Sequence, residues 1–239
     1  MEPLSITIYL SSPLIFPVKT RPFPLMFDSL LIEIMSLRAG QVEYPYNEYS
    51  DDPYAPETNA AGVPLAVAGS KKKYYCASAM EIDQSAARWT SLSVAGRTDW
   101  PDEENLSRYA RSLRRIEGSN LYRGALELLK GIIVPAIRFH CVGDKAVIVD
   151  LLKDLKSVGT KTSIGMGRVA KVTVRESEKD YSVFDARNYP ARPIPVSEAE
   201  NKNSCIWLRD HCSYKPPYWL ADNKGLCWVP PIYRWLPIN

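Results

Sequence analysis

The chain is poor in the groups from which most catalytic and metal sites are built. Its only histidines are His140 and His211, and no carboxylate or second histidine stands at a spacing that suggests a catalytic pair. Its five cysteines, Cys76, Cys141, Cys205, Cys212 and Cys227, are odd in number and irregularly spaced. The C-x6-C-x14-C run of the last three lacks the paired knuckle of a zinc site. Thiols packed among Trp207, Trp219 and Trp228 are the expectation there, with no metal and no cofactor. No apolar run reaches about 18 residues, so no membrane span is expected. Met1 to Leu10 alternates polar with apolar, unlike a secretory signal, and a reducing cytoplasm is the expected compartment. Excess charge of one sign is lacking too: 30 Lys and Arg against 27 Asp and Glu give +3, which does not by itself demand nucleic acid.

What is present is segregated. Glu43, Glu48, Asp51, Asp52 and Glu57 follow one another with no base between them, whereas Lys71, Lys72 and Lys73 are consecutive and Arg108, Arg111, Arg114 and Arg115 cluster. A near-neutral total with separated charge fits one polyanion-facing surface inside a larger assembly. The hydrophobic fraction of 46% over 239 residues supports one large domain or two small ones.

The stretch from Val158 to Val169 is the most telling. It is glycine-rich, basic and hydroxyl-bearing, lying between a predicted helix (Lys145 to Ser157) and a predicted strand (Arg168 to Arg175). Gly165 and Gly167 would let backbone N–H groups approach a ligand, with Lys161 and Arg168 supplying charge and Thr160, Thr162 and Ser163 supplying hydroxyls. The spacing is not that of a P-loop. Helix, loop, strand is also the reverse of the order a P-loop or dinucleotide fingerprint needs. A tight αβ turn remains the plain alternative.

Elsewhere, Leu4 to Leu10 predicts a strand, and Ser29 to Arg38 a helix with Asp28 as N-cap and Gly40 as its stop. Pro64 to Ala68 and Lys73 to Ile82 predict a hairpin with a basic tip. A helix is expected after Trp100, with Arg108, Arg111 and Arg115 on one face. Ala125 to Leu129 and Ile132 to Val142 predict strands. The order suggests an α+β fold built on a ferredoxin-like βαββαβ unit, with two strands too many for it. An insertion at about 84–120 and an irregular Pro- and Trp-rich extension over 179–239 account for the rest of the chain.

The string Arg138-Phe139-His140-Cys141-Val142-Gly143-Asp144, the helix with Leu151-Leu152, then Gly159-Thr160-Lys161 and Gly165-Met166-Gly167-Arg168-Val169 resembles the glycine-rich loop region of the RAMP superfamily of CRISPR proteins. Within it, the chain is most similar to the group-five Cas subunit of type IV effector complexes. Leu10 to Pro13, Phe27 to Leu31, Arg192 to Val196 and Lys215 to Trp219 carry that part of the likeness. The resemblance covers most of the chain, least over residues 41–62 and 84–120. It implies a non-catalytic subunit with a RAMP domain of RRM type over 1–178. Such a subunit binds the five-prime handle of the guide RNA, caps the filament of backbone RAMP subunits and docks the large subunit that engages target DNA.

On that reading Lys161, Thr162, Ser163, Gly165, Met166, Gly167 and Arg168 contact RNA. Lys161 is equally well a solvated cation at a helix end. Lys71, Lys72 and Lys73 with Tyr74 make either a basic tip beside an aromatic platform or a solvated hairpin with Tyr75 turned inward. Arg108, Arg111 and Arg115 face RNA, DNA or solvent. Two rivals stand beside it: a guide-processing endoribonuclease using His140, and a protein-only assembly adaptor.

Overall fold

The computed structural model describes residues 1–15, 24–40, 52–96, 125–200 and 207–232. The predicted helix after Trp100, and with it Arg108, Arg111 and Arg115, lies outside them, as does Cys205.

Strand β1 (Glu2–Leu10) is the organising element. Leu4, Ile6 and Ile8 are buried on one face, each contributing about 1.5–3 kcal/mol by leaving water. The intervening Ser5, Thr7 and Tyr9 therefore point to the other face. β1 pairs antiparallel with β8 (Ala136–Gly143) on one side and β9 (Val169–Glu176) on the other. β5 (Glu81–Ile82) adds to β8, giving the order β5-β8-β1-β9.

Two helices cover the apolar face. Helix α1 (Phe27–Arg38) brings Leu30, Leu31 and Ile34 into the core, and α2 (Lys145–Leu152) brings Ile148, Leu151 and Leu152. Phe27 and Phe139 meet there with ring centroids 5.4 Å apart. Asp144 caps α2, its carboxylate accepting from the N–H groups of Ala146 and Val147 at 3.0 and 3.2 Å. The helix stops earlier than predicted. The N–H groups of Lys153, Asp154 and Leu155 turn back three residues instead of four, which returns the buried Leu155 and Val158 to the sheet. No described helix is long and apolar enough to cross a membrane.

The expectation that Asp28 caps α1 is corrected. Met26 occupies the cap position, and the Phe27 N–H donates to the Ser78 carbonyl at 3.2 Å. Asp28 lies inside the first turn, fully buried, and is taken by tertiary partners described below.

Two of the predicted strand segments lie outside the main sheet. β3 (Val67–Ala68) and β4 (Tyr74–Tyr75) form their own small hairpin, leaving only β5 from that stretch in the main sheet. β6 (Arg88–Gly96) and β7 (Ala125–Ile133) form a two-stranded ribbon in unbroken register from Arg88↔Ile133 to Gly96↔Ala125. The segment Ala125–Leu129 therefore belongs to that ribbon. β2 (Leu14–Ile15) pairs with its root at Ile132 and Gly131.

The C-terminal part builds a sheet of its own, ordered β10 (Ile194–Pro195), β12 (Lys224–Val229), β11 (Leu208–Ser213). Its core holds Tyr74, Ile194, Tyr214, Cys227 and Val229. Trp207 and Trp228 pack edge to face, with centroids 5.4 Å apart. Thus Tyr74 from the basic hairpin is part of the C-terminal core.

Candidate nucleic-acid interface

The glycine loop leaves the main sheet at the end where β1 finishes and β9 begins. It is held to the segment that follows β1. The Gly167 N–H donates to the Pro13 carbonyl at 2.8 Å, the Arg168 N–H to the Ser12 hydroxyl at 2.8 Å, and the Ser11 N–H to the Arg168 carbonyl at 2.9 Å. Thr160 donates to the Ile15 carbonyl through both its N–H (3.2 Å) and its hydroxyl (3.1 Å). Between these anchors Thr162–Ile164 form one 3-10 turn. The Gly165 N–H closes it on the Thr162 carbonyl at 2.9 Å.

This geometry changes what the loop offers a ligand. The N–H groups of Gly165 and Gly167, expected to approach a ligand, bond within the protein. The outward groups are side chains: Lys161, Thr162, Ser163, Ile164 and Arg168 are exposed, and Met166 is half-buried. Lys161 holds a left-handed backbone at φ 61°, which costs a lysine about 1–3 kcal/mol and turns it outward at the start of the 3-10 turn. The Arg168 side chain makes no hydrogen bond or ion pair with a described residue.

The second predicted site is elsewhere. The stems of the β3–β4 hairpin abut the opposite end of β8, through bridges of Leu65 to Gly143 and Ala77 to Cys141. Lys71, Lys72 and Lys73 are exposed at its tip. Their backbone is organised by one carboxylate. Glu198 accepts from the N–H groups of Ser70, Lys71 and Lys72 at 2.6, 3.0 and 2.9 Å and from the Ser70 hydroxyl at 3.0 Å. Lys72 Nζ lies 5.6 Å from the centre of the Tyr214 ring. Tyr74 is buried with the Arg192 guanidinium 5.1 Å from its ring centre, which leaves no ring face for a base. Tyr75 is turned inward and its hydroxyl donates to the Tyr54 carbonyl at 2.8 Å.

The backbone bonds from Ser70, followed by those from Lys72 and Lys71, hold the Glu198 carboxyl down to about 2. A depressed carboxyl stabilises the fold above its unfolded value of about 4.5, and that contribution disappears as pH falls through about 2. Glu198→Gln is therefore expected to melt below the wild type at pH 7, with the gap closing as melting is repeated between pH 4.5 and 2. A gap that stays constant through that range would exclude the carboxylate as its cause.

A third surface was missed from sequence. Pairing places Tyr9 between Ala136 and Lys171, Thr7 between Arg138 and Thr173, and Ser5 between His140 and Arg175. All nine share the sheet face opposite the helices. Their signal was legible: the polar phase of three alternating strands carries the basic residues. The only carboxylate among the paired positions on this face is Glu81, opposite Arg138. The side chains of Arg138, Lys171 and Arg175 make no ion pair or hydrogen bond with a described residue.

At the β5 edge this face runs into a groove of about 1030 Å³, lined by Arg138, His140, Tyr181 and Arg187 among others. His140 is mostly buried there, its Nε2 lying 3.6 Å from a Glu81 oxygen and its ring edge-on to Tyr181 at 5.5 Å. Its Nδ1 is buried without a hydrogen-bond partner among the described residues. Sequence spacing did not suggest this His–carboxylate pair, because the β5–β8 pairing brings together residues 59 positions apart.

A family model for the CRISPR type IV associated protein Csf3 matches residues 2–230. The chain belongs to that family. The match spans the main sheet, the glycine loop, the ribbon and all of the C-terminal sheet, so these parts together make one Csf3-type chain. A search of curated proteins gave no match. Membership associates the chain with a type IV CRISPR system, as the resemblance of its glycine loop and Pro-rich tail implied.

Around His211 and Cys227 the strand register is decisive. Cys227 faces Asp210 across the pair and points into the small core, whereas His211 faces Leu226 and is exposed on the other side. These two cannot meet on one ion. No group of three or more metal-ligating side chains exists among the described residues.

Proposed function

We propose that the protein is a non-catalytic subunit of a type IV CRISPR ribonucleoprotein effector. It binds and caps the five-prime handle of the guide RNA and docks the neighbouring subunits. The observation carrying this reading is the glycine loop. Its backbone is tied inward to residues 11–15, while Lys161, Thr162, Ser163 and Arg168 face outward. Such a loop holds phosphates by charge and hydroxyls without reading bases. The antiparallel order β5-β8-β1-β9, with one helix after the first strand and one before the last, supports a ferredoxin-like RAMP domain. Exposed Trp219 and Leu226 on the C-terminal part supply apolar area for a protein neighbour.

The test is a filter-binding titration with handle-containing and scrambled RNA at several salt concentrations. Lys161→Gln with Arg168→Gln should weaken handle binding about tenfold and reduce the salt slope of log K by about 1.4, two contacts at about 0.7 each. Absence of salt-dependent binding by both the free chain and its assembled complex would refute the proposal and leave the protein-only adaptor.

A second reading, guide-processing endoribonuclease, is favoured by one observation: His140 and Glu81 lie 3.6 Å apart beside Tyr181 in the groove. An imidazole so held is a candidate general base. If the wild type cleaves precursor RNA and His140→Ala cleaves equally fast, His140 takes no part in cleavage.

A further inference from the structure

We infer that the helix-free face of the main sheet is a second RNA surface, which receives the single strand leaving the glycine loop. The inference rests on the loop reading, since the two are continuous. Arg168 ends the loop, β9 begins at Val169, and Lys171 with Tyr9 forms the first row of the face. From there Thr7 and Arg138 and then Ser5 and Arg175 form successive rows along the strands. Row follows row at every second residue, about 7 Å apart.

The chemistry of the face selects its occupant. Arg138, Lys171 and Arg175 outnumber the single carboxylate Glu81, so the field favours a polyanion. Tyr9 is 40% exposed, and its neighbour on the β8 side is only Ala136, so one flank of the ring is open to a base. Aromatic stacking on an open sheet suits unpaired bases, whereas a duplex keeps its bases inside. Thr7 and Thr173 face each other in the next row, presenting two hydroxyls that can exchange hydrogen bonds with a ribose 2′-hydroxyl. A protein partner would call for a broad apolar centre, and the three rows of this face supply only Tyr9 and Ala136. The groove beyond Arg138 and His140 gives the strand an exit under the C-terminal part.

The experiment uses the full chain and fluorescein-labelled 12-nucleotide oligouridine, the deoxythymidine strand of equal length, and a 12-base-pair RNA duplex, read by anisotropy across salt. Lys171→Gln with Arg175→Gln is expected to weaken oligouridine about tenfold and lower the salt slope by about 1.4. Tyr9→Ala should weaken it about tenfold with the slope unchanged, and Tyr9→Phe should retain wild-type affinity because the ring is kept. The duplex should be insensitive to Tyr9→Ala. The positions are exposed or half-exposed on strands, and unchanged melting temperatures of the Gln pair and Tyr9→Phe would exclude unfolding. If face variants bind like wild type while Lys161→Gln with Arg168→Gln loses binding, the face assignment fails and the loop reading stands. If none of the proteins, wild type included, binds oligouridine, the face assignment fails, and the titration with handle-containing RNA decides the loop reading separately. Equal affinity for the deoxy strand, with equal losses, overturns the assignment to RNA.

Discussion

Gly167→Ala is expected to destabilise the protein by about 3 kcal/mol or more, well beyond the same change two residues earlier. Two costs add at Gly167. Its φ of 61° is left-handed, which costs a residue with a Cβ about 1–2 kcal/mol. The new methyl would also run into the backbone of Val158, lying 2.9 Å from its carbonyl carbon and closer still to its oxygen. That backbone cannot yield cheaply, because the Val158 N–H is bonded to the Gly167 carbonyl at 2.9 Å. Overpacking of this kind adds about 1–3 kcal/mol. At Gly165 the φ is 86° but nothing lies within 4 Å of the added carbon, so Gly165→Ala carries only the conformational cost. Denaturant titrations of the two variants measure the difference. Equal losses would mean that close packing on Val158 plays no part, and that both glycines serve only to turn the chain.

Arg192→Met should cost about 3–5 kcal/mol, because it leaves a buried carboxylate without its counter-charge. Arg192 is completely buried and joins three parts of the chain. It donates to the carbonyls of Tyr75, Ala77 (2.9 Å) and Tyr214 (2.7 Å) and to Asp28 at 3.3 Å. The Tyr218 hydroxyl completes the cluster, donating to both Asp28 oxygens at 2.9 and 2.8 Å. Burial pushes the Asp28 carboxyl above its ordinary value, against the opposing pull of Arg192, Tyr218 and the Ser29 N–H. Removing the arginine removes part of that pull and raises the carboxyl further. A carboxyl raised in the folded state binds more protons there than in the unfolded chain. The variant should therefore regain stability as pH falls from neutrality toward the ordinary carboxylate value. Adding Asp28→Leu to Arg192→Met should recover part of the loss by removing the unpaired charge. If the double variant is no more stable than Arg192→Met, the loss lies in the carbonyl bonds rather than in the ion pair.

The local elements were legible because they depend on near neighbours. Alternation in Leu4, Ile6 and Ile8 announced β1, Gly143-Asp144 announced the start of α2, and Gly40 the end of α1. Even the helix-free face is written in the polar phase of β1, β8 and β9, though a single strand cannot say which others lie beside it. Asp28 shows where that logic fails. In sequence it is an N-cap, but a guanidinium 164 positions away outweighs one terminal N–H. Tyr74 looked like a platform beside three lysines until the C-terminal sheet enclosed it.

The family, the alternation and capping of the core elements, and a glycine loop bearing a lysine and an arginine all follow from residues close together in the chain. How those features are used follows from packing. Strand pairing and the packing of the C-terminal sheet determine which N–H groups are already bonded, which rings are covered and which cations share a face. Such contacts span up to 190 positions, from Asp28 to Tyr218, and local patterning carries no information across that separation.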